Sequence, residues 1–158
     1  MNATIRPATP EDAPELARLR WEFRIEAETP ATRSRGDFDA EMRGFAAEVL
    51  APGTSWRAWV AEADHRVVGC VWLQLFEKVP HPGRTRSQRP VAYVTNMYVE
   101  PDRRNAGLGR DLLDVAVAFA RERNVDGVLL WPSERSRPFY ERAGFATGSW
   151  LWLEMAGD

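Results

Sequence analysis

The chain has 158 residues, a net charge of -2, and 44% apolar against 28% charged residues, the balance of a globular domain with room for a core. Near-neutral charge without a basic block argues against a nucleic-acid partner, and the basic residues are scattered arginines, with Lys78 the only lysine. The longest apolar stretch, VVGCVWL, falls short of the ~20 residues that span a bilayer, and no signal-like segment opens the sequence, so the expectation is one cytoplasmic domain over residues 1–158 with no membrane contact.

In chain order, TIRPAT reads as a first strand and TPEDAPELARLRWEFRIEA as a helix. Thr9 is placed to cap it, Pro10 stands at the first helical position, and Asp12 completes a capping box. Leu16, Leu19, Phe23 and Ala27 are spaced for one apolar face. A second helix is predicted near residues 38–50. SWRAWVAEADHRVVGCVWLQLFEK reads as two strands joined at EADHR, a hairpin whose polar tip exposes His65. Cys70, the only cysteine, lies inside the second of these strands and is expected to be a small buried residue. With only His65 and His81 beside it, the usual soft ligands of a zinc cluster are not assembled, and no metal is expected.

VPHPGRTRSQRP, rich in proline, is a loop. VAYVTNMYV is the next strand, stopped by Pro101, and Leu108, Leu112, Ala116, Phe119 and Ala120 mark one face of a helix running to about Arg123. DGVLLW is a continuous apolar run, as expected of a strand buried on both faces. Strand, helix, strand forms a right-handed βαβ unit, so these two strands are predicted to be parallel. SERSRPFYERAGF is a short helix closed by Gly144, and SWLWLEM a last strand. The expected architecture is a mixed α/β domain of one sheet.

Gly107 and Gly109 stand where the helix after VAYVTNMYV begins, an unfavourable place for the weakest helix former. Glycines there let the backbone approach something bulky while the first helical N–H groups point outward, which describes an anion cradle. A turn with close helix packing explains a lone glycine pair equally well. Two phosphate loops are excluded: Gly109 is followed by Arg110 and Asp111 rather than Lys-Ser/Thr, and a dinucleotide fingerprint needs a third glycine where Leu112 stands.

VTNMYVEPDRRNAGLGRDLL resembles the coenzyme A motif of the GNAT superfamily of acetyl-CoA dependent N-acetyltransferases, Arg/Gln-x-x-Gly-x-Gly/Ala after a Val-x-Pro strand end. The matching residues are Val99, Pro101, Arg104, Gly107 and Gly109. SRPFYERAGF is similar to the second motif of that family, through Tyr140, Gly144 and Phe145. The resemblance implies the GNAT fold, a single mostly antiparallel sheet with a central parallel strand pair and helices on both faces. It also implies acetyl-CoA as cosubstrate, no metal, an amine acceptor and, as in many members, a homodimer.

The same resemblance assigns roles. The N–H groups of Arg104, Asn105, Ala106, Gly107, Leu108, Gly109 and Arg110 would hold the pyrophosphate. The main chain of Met97, Tyr98 and Val99 would pair with the pantetheine arm, in a gap that a bulge near Asn96 opens in the family. The Met97 N–H would stabilise the oxyanion, and Tyr140 would act as the acid toward the departing thiolate. Ser133 and Ser136 stand where the family often has Asn and Ala, at the pantetheine contacts.

Acceptor residues are less marked. Glu26 and Glu77 are candidate bases, and Trp21, Trp150 and Trp152 candidate walls of an acceptor pocket. Residues 22–41 carry a local charge of -3, counting Glu22, Glu26, Glu28, Asp37, Asp39 and Glu41 against Arg24, Arg33 and Arg35. The loop ahead of the glycine-motif strand carries Arg84, Arg86 and Arg89, so an amino-acid-like or peptide acceptor with both charges fits. The expected activity is acetyl transfer by direct attack in a ternary complex, the alternative being a non-catalytic acyl-CoA-binding module.

Overall fold

The β-branched and aromatic runs of the sequence pair into one five-stranded sheet in a computed structural model that describes residues 3–28, 31–80, 82–83, 89–148 and 151. The strands β1 (Thr4–Pro7), β2 (Trp56–Ala63), β3 (Arg66–Phe76), β4 (Val91–Val99) and β5 (Gly127–Leu129) lie side by side in that order. Neighbours are antiparallel except β4 and β5, which are parallel, as the βαβ order requires. At the β2–β3 turn Asp64 and His65 both have positive φ, 52° and 61°, the backbone of the tight hairpin turn that matches strand twist. His65 is exposed there.

The helices are α1 (Ala13–Glu26), α2 (Arg35–Val49), α3 (Leu108–Glu122) and α4 (Arg137–Arg142). A 3-10 turn over Pro10–Asp12 leads into α1, and the Asp12 carboxylate accepts from the Thr9 N–H at 2.8 Å. Helix α2 starts three residues before its predicted position of Phe38, because Ser34 Oγ accepts from the Asp37 N–H at 3.1 Å and fixes the first turn despite Gly36.

Helices pack on both faces of the sheet. On one, Leu112, Leu113, Ala116 and Ala120 of α3 meet Trp59, Val71, Leu73 and Val94. On the other, Leu16 and Leu19 of α1 and Ala46 of α2 meet Val60, Cys70, Trp72 and Tyr98. Burial of such leucines contributes roughly 2 kcal/mol each. Ala27 of the predicted stripe is exposed because it caps the C-terminus of α1. Arg18 donates to Glu100 at 2.7 Å and to the Val67 carbonyl at 2.7 Å, and so ties α1 to the end of β4.

Two departures matter for the site. Strand β5 has only three residues; Gly127 is exposed and Val128 and Leu129 are half-buried, rather than buried on both faces. Among the described residues nothing pairs with its outer edge, and the predicted last strand over 149–155 lies, apart from Leu151, outside the described residues. The second departure is a bulge in β4. Cys70 pairs with Tyr98 but Trp72 pairs with Thr95, so Asn96 and Met97 together oppose Val71. Asn96 has φ 46°, which asparagine tolerates better than most residues. The extra residue inverts the inward–outward alternation: Ala92 and Val94 face α3, whereas Tyr98, which should follow them, faces α1 and α2.

Candidate active site

Strands β4 and β5 are hydrogen-bonded only from Val91 to Tyr93, opposite Gly127 to Leu129. Beyond Tyr93, β4 continues for six more residues while the other segment turns away through Trp131 and Pro132. A cleft of about 930 Å³ opens in the gap, with Met97, Tyr98 and Val99 on one wall, Trp131, Ser133 and Ser136 on the other, and Gly107, Gly109, Phe139 and Tyr140 between. The β5-facing edge of β4 is therefore free of a strand partner along the cleft among the described residues. One acceptor near its end is engaged, since the Val99 carbonyl accepts from Arg104 Nε at 2.8 Å.

The two glycines serve different ends. Gly107 has φ 89° and ψ -16°, a left-handed conformation immediately before α3. This turn leaves the N–H groups of residues 105–109 without backbone partners among the described residues, whereas the Arg110 N–H is bonded to the Gly107 carbonyl at 2.8 Å and the Arg104 N–H to the Pro101 carbonyl at 3.4 Å. Gly109 has an ordinary helical backbone; a Cβ there would lie 3.9 Å from Met97 Cε and 3.9 Å from the Phe139 ring, both part of the cleft. Its missing side chain keeps the cleft open beside the free N–H groups, a fit to a bulky phosphate ester at a helix N-terminus.

Charge at the mouth is arranged by an ion pair between segments 78 residues apart. Arg104 donates twice to Glu26, both at 2.6 Å, and Arg135 donates to Glu26 at 3.1 Å. These bonds, Arg104's first, hold the Glu26 carboxyl down at about 2. In this arrangement the Glu26 carboxylate is engaged by two guanidinium groups and bridges the end of α1 to the segments ahead of α3 and α4. The Arg104 guanidinium also stacks over the Tyr98 ring at 5.3 Å. Burial, with Glu26 second, pushes the Tyr98 phenol up to about 12.

Tyr140 is held edge-on by Phe139 at 5.0 Å and Phe145 at 5.8 Å. Burial alone raises its phenol to about 12, so it stays protonated at every working pH. Ser133 and Ser136 join hydroxyls at 2.9 Å, and the Ser136 N–H donates to Ser133 Oγ at 3.3 Å, which fixes the turn into α4. Arg110 lines the cleft with its side chain paired to Asp114 at 2.8 Å.

Other candidates lie elsewhere. Glu77 follows the end of β3, is exposed, and lines neither the cleft nor a smaller cavity on the α1–α2 side of β4, because the strand has run past the site by Phe76. Trp21 also lines neither, its ring being fixed between Phe38 at 5.4 Å and the Arg35 guanidinium at 5.2 Å. Trp150, Trp152, Arg84 and Arg86 lie outside the described residues. Sequence reading missed Arg20 and the wall formed by Trp56 and Trp72. The available signal for Arg20 was a cation set one residue beyond Leu19, at the margin of a buried stripe.

A glycine-headed helix in the gap of a splayed parallel strand pair defines an acetyltransferase-type fold. The Acetyltransferase (GNAT) family profile matches residues 14–145, and the chain belongs to that family. It is 36% identical over 80 residues to a glucosamine 6-phosphate N-acetyltransferase of Trypanosoma brucei brucei, 51% of each chain. The chain spans about half or less of the length of the curated relatives it matches. Among solved structures it is similar to a predicted acetyltransferase with acetyl-CoA from Clostridium acetobutylicum, at 28% identity, TM-score 0.81, and coverage of 97% and 96% of the two chains. A GCN5-related N-acetyltransferase from Ralstonia eutropha matches at 27% identity and TM-score 0.78, covering 99% and 100%.

Proposed function

We propose that the chain is an N-acetyltransferase that binds acetyl-CoA in the β4–β5 cleft and passes the acetyl group directly to an amine. The observation that carries this reading is the row of unpartnered N–H groups at 105–109, turned outward by Gly107 onto a cleft that Gly109 keeps clear. These groups would hold the pyrophosphate, with Leu108 and Gly109 at the positive end of α3. The free main-chain edge of β4 at Met97 would pair with the pantetheine amides as an added strand would, and Ser133 and Ser136 would face the arm from the opposite wall.

The chemistry then assigns roles. The amine nitrogen attacks the thioester carbonyl, a C–N bond forms, the C–S bond breaks, and the proton lost by nitrogen is matched by one gained by sulfur. The Met97 N–H would stabilise the oxyanion. A phenol at about 12 holds its proton more tightly than a thiol near ~8.5. Tyr140 would therefore act by donating a hydrogen bond to sulfur as charge builds there, and by relaying the proton. No helix among the described residues is long and apolar enough to cross a membrane. Calorimetric titration with acetyl-CoA, followed by release of free thiol with a panel of amines, tests the reading. Tight binding with amine-dependent release supports it, binding without release favours the non-catalytic acyl-CoA module, and absence of binding overturns both.

A further inference from the structure

A second cavity, of about 320 Å³, lies on the α1–α2 side of β4, within the size range of small-molecule sites. Its walls are aromatic: Phe38, Phe45, Trp56, Trp72 and Tyr93. Consecutive residues of the bulge separate it from the cleft, since Asn96 lines this cavity and Met97 lines the other. Asn96, on the wall of this cavity, is the chain neighbour of the proposed oxyanion donor Met97.

Its charge is uncompensated. Arg20 lines the cavity, donates to Asn96 Oδ1 at 3.2 Å and lies 5.8 Å from the Phe23 ring, both neutral partners, and among the described residues it forms no ion pair with a carboxylate. Burial pushes its guanidinium below the usual arginine range, the mark of a cation taken from water without an anion in return. The other charged liners, Arg33 and Glu41, pair with each other.

We propose that this cavity is the acceptor subsite and takes an aromatic α-amino acid with a free carboxylate, which pairs with Arg20 while the ring lies among the aromatic side chains. The proposal rests on the acetyl-transfer reading above. An α-amino acid carries amine and carboxylate on one carbon, so a carboxylate seated on Arg20 beside Asn96 leaves the amine next to Met97. A polyamine meets an unneutralised cation here, and a hydroxyl-rich sugar meets apolar walls that cannot satisfy its hydroxyls. One net positive charge suits a carboxylate monoanion.

Thiol release is measured with L-phenylalanine, L-tryptophan, L-phenylalaninamide and spermidine. The free acids are expected to be preferred over the amide by about 10–100-fold in kcat/KM, the range of a hydrogen bond to a charged group. Arg20→Gln is expected to remove that preference by raising KM for phenylalanine alone, with acetyl-CoA affinity unchanged, and Arg20→Lys to restore part of it. Equal use of acid and amide, or an equal loss on both in Arg20→Gln, overturns the proposal. If acetyl-CoA binds but no amine is turned over, the transfer reading fails and the cavity is tested by calorimetric titration with L-phenylalanine. Binding that Arg20→Gln abolishes upholds the subsite, and no binding by the parent protein overturns it.

Discussion

Gly107→Ala and Gly109→Ala, two substitutions of the same kind two residues apart, are expected to shift stability in opposite directions. At Gly107 nothing lies within 4 Å of the position a methyl would take, so the cost is the left-handed backbone alone, about 1–2 kcal/mol, reduced by about 0.4–1 kcal/mol from the stiffer unfolded chain. The net loss of roughly 0.5–1 kcal/mol lowers Tm by about 1–4 °C for a chain of this size. At Gly109 the φ is ordinary and the methyl would make van der Waals contacts at 3.9 Å, so alanine in the helix gains about 0.5–1 kcal/mol and Tm rises by a similar amount. That methyl also enters the cleft, where overlap with a bound ligand costs about 1–3 kcal/mol, or roughly 10–100-fold in affinity. Thermal unfolding with and without acetyl-CoA reads both effects at once, because a ligand at free concentration L stabilises by RT ln(1 + L/Kd) and so by less when its affinity falls. Shifts of the same sign, or an undiminished acetyl-CoA-induced shift in Gly109→Ala, would refute the separate roles given to the two glycines.

Tyr140→Phe is expected to lower kcat by about 10²–10⁴-fold, the span of one positioned proton donor, while calorimetry finds acetyl-CoA affinity unchanged. Glu26 has a carboxyl lowered to about 2 in the folded protein against ~4.3 unfolded, so its stabilisation is complete above the unfolded value and is lost as pH falls toward 2. Chemical denaturation at pH 6 and pH 3 should show a smaller loss in Glu26→Gln than in the parent, by about 1 kcal/mol or less, since the pair is partly exposed. Burial pushes the Cys70 thiol up to about 12, and it donates to the Asn96 carbonyl at 3.6 Å. It should therefore resist a disulfide reagent at pH 8 in the native protein and react only on denaturation, which leaves released coenzyme A as the sole thiol in the activity assay.

Elements whose causes are local were legible in the sequence. Pro101 and Gly107 bracket the entry to α3, Asp64 and His65 sit at the hairpin tip, and Gly144 closes the last short helix with φ 94°. The acceptor side depended on pairings distant along the chain. The Asn96 bulge arises from registration of β4 against β3; the residues of VAYVTNMYV do not show it, and it was expected only through the family resemblance. Glu26 looked like a free carboxylate until α1 brought it to Arg104. The tryptophans at the second cavity, Trp56 and Trp72, belong to strands that read simply as core, and the start of α2 was hidden by Gly36, whose low helix propensity Ser34 offsets as a cap.

The phase inversion at Asn96 divides one strand between two clients. Tyr93 and Thr95 border the smaller cavity, and Met97, Tyr98 and Val99 border the larger. The linings of the two cavities are in this way drawn from separate, consecutive blocks of β4, so that under the proposed roles a substitution in the first block would change acceptor choice without disturbing donor binding. Deletion of Asn96 is a different kind of change, because it fuses the two blocks into a single alternation and turns the second block inside out. The strand is thus open to retuning by replacement and closed to change in length.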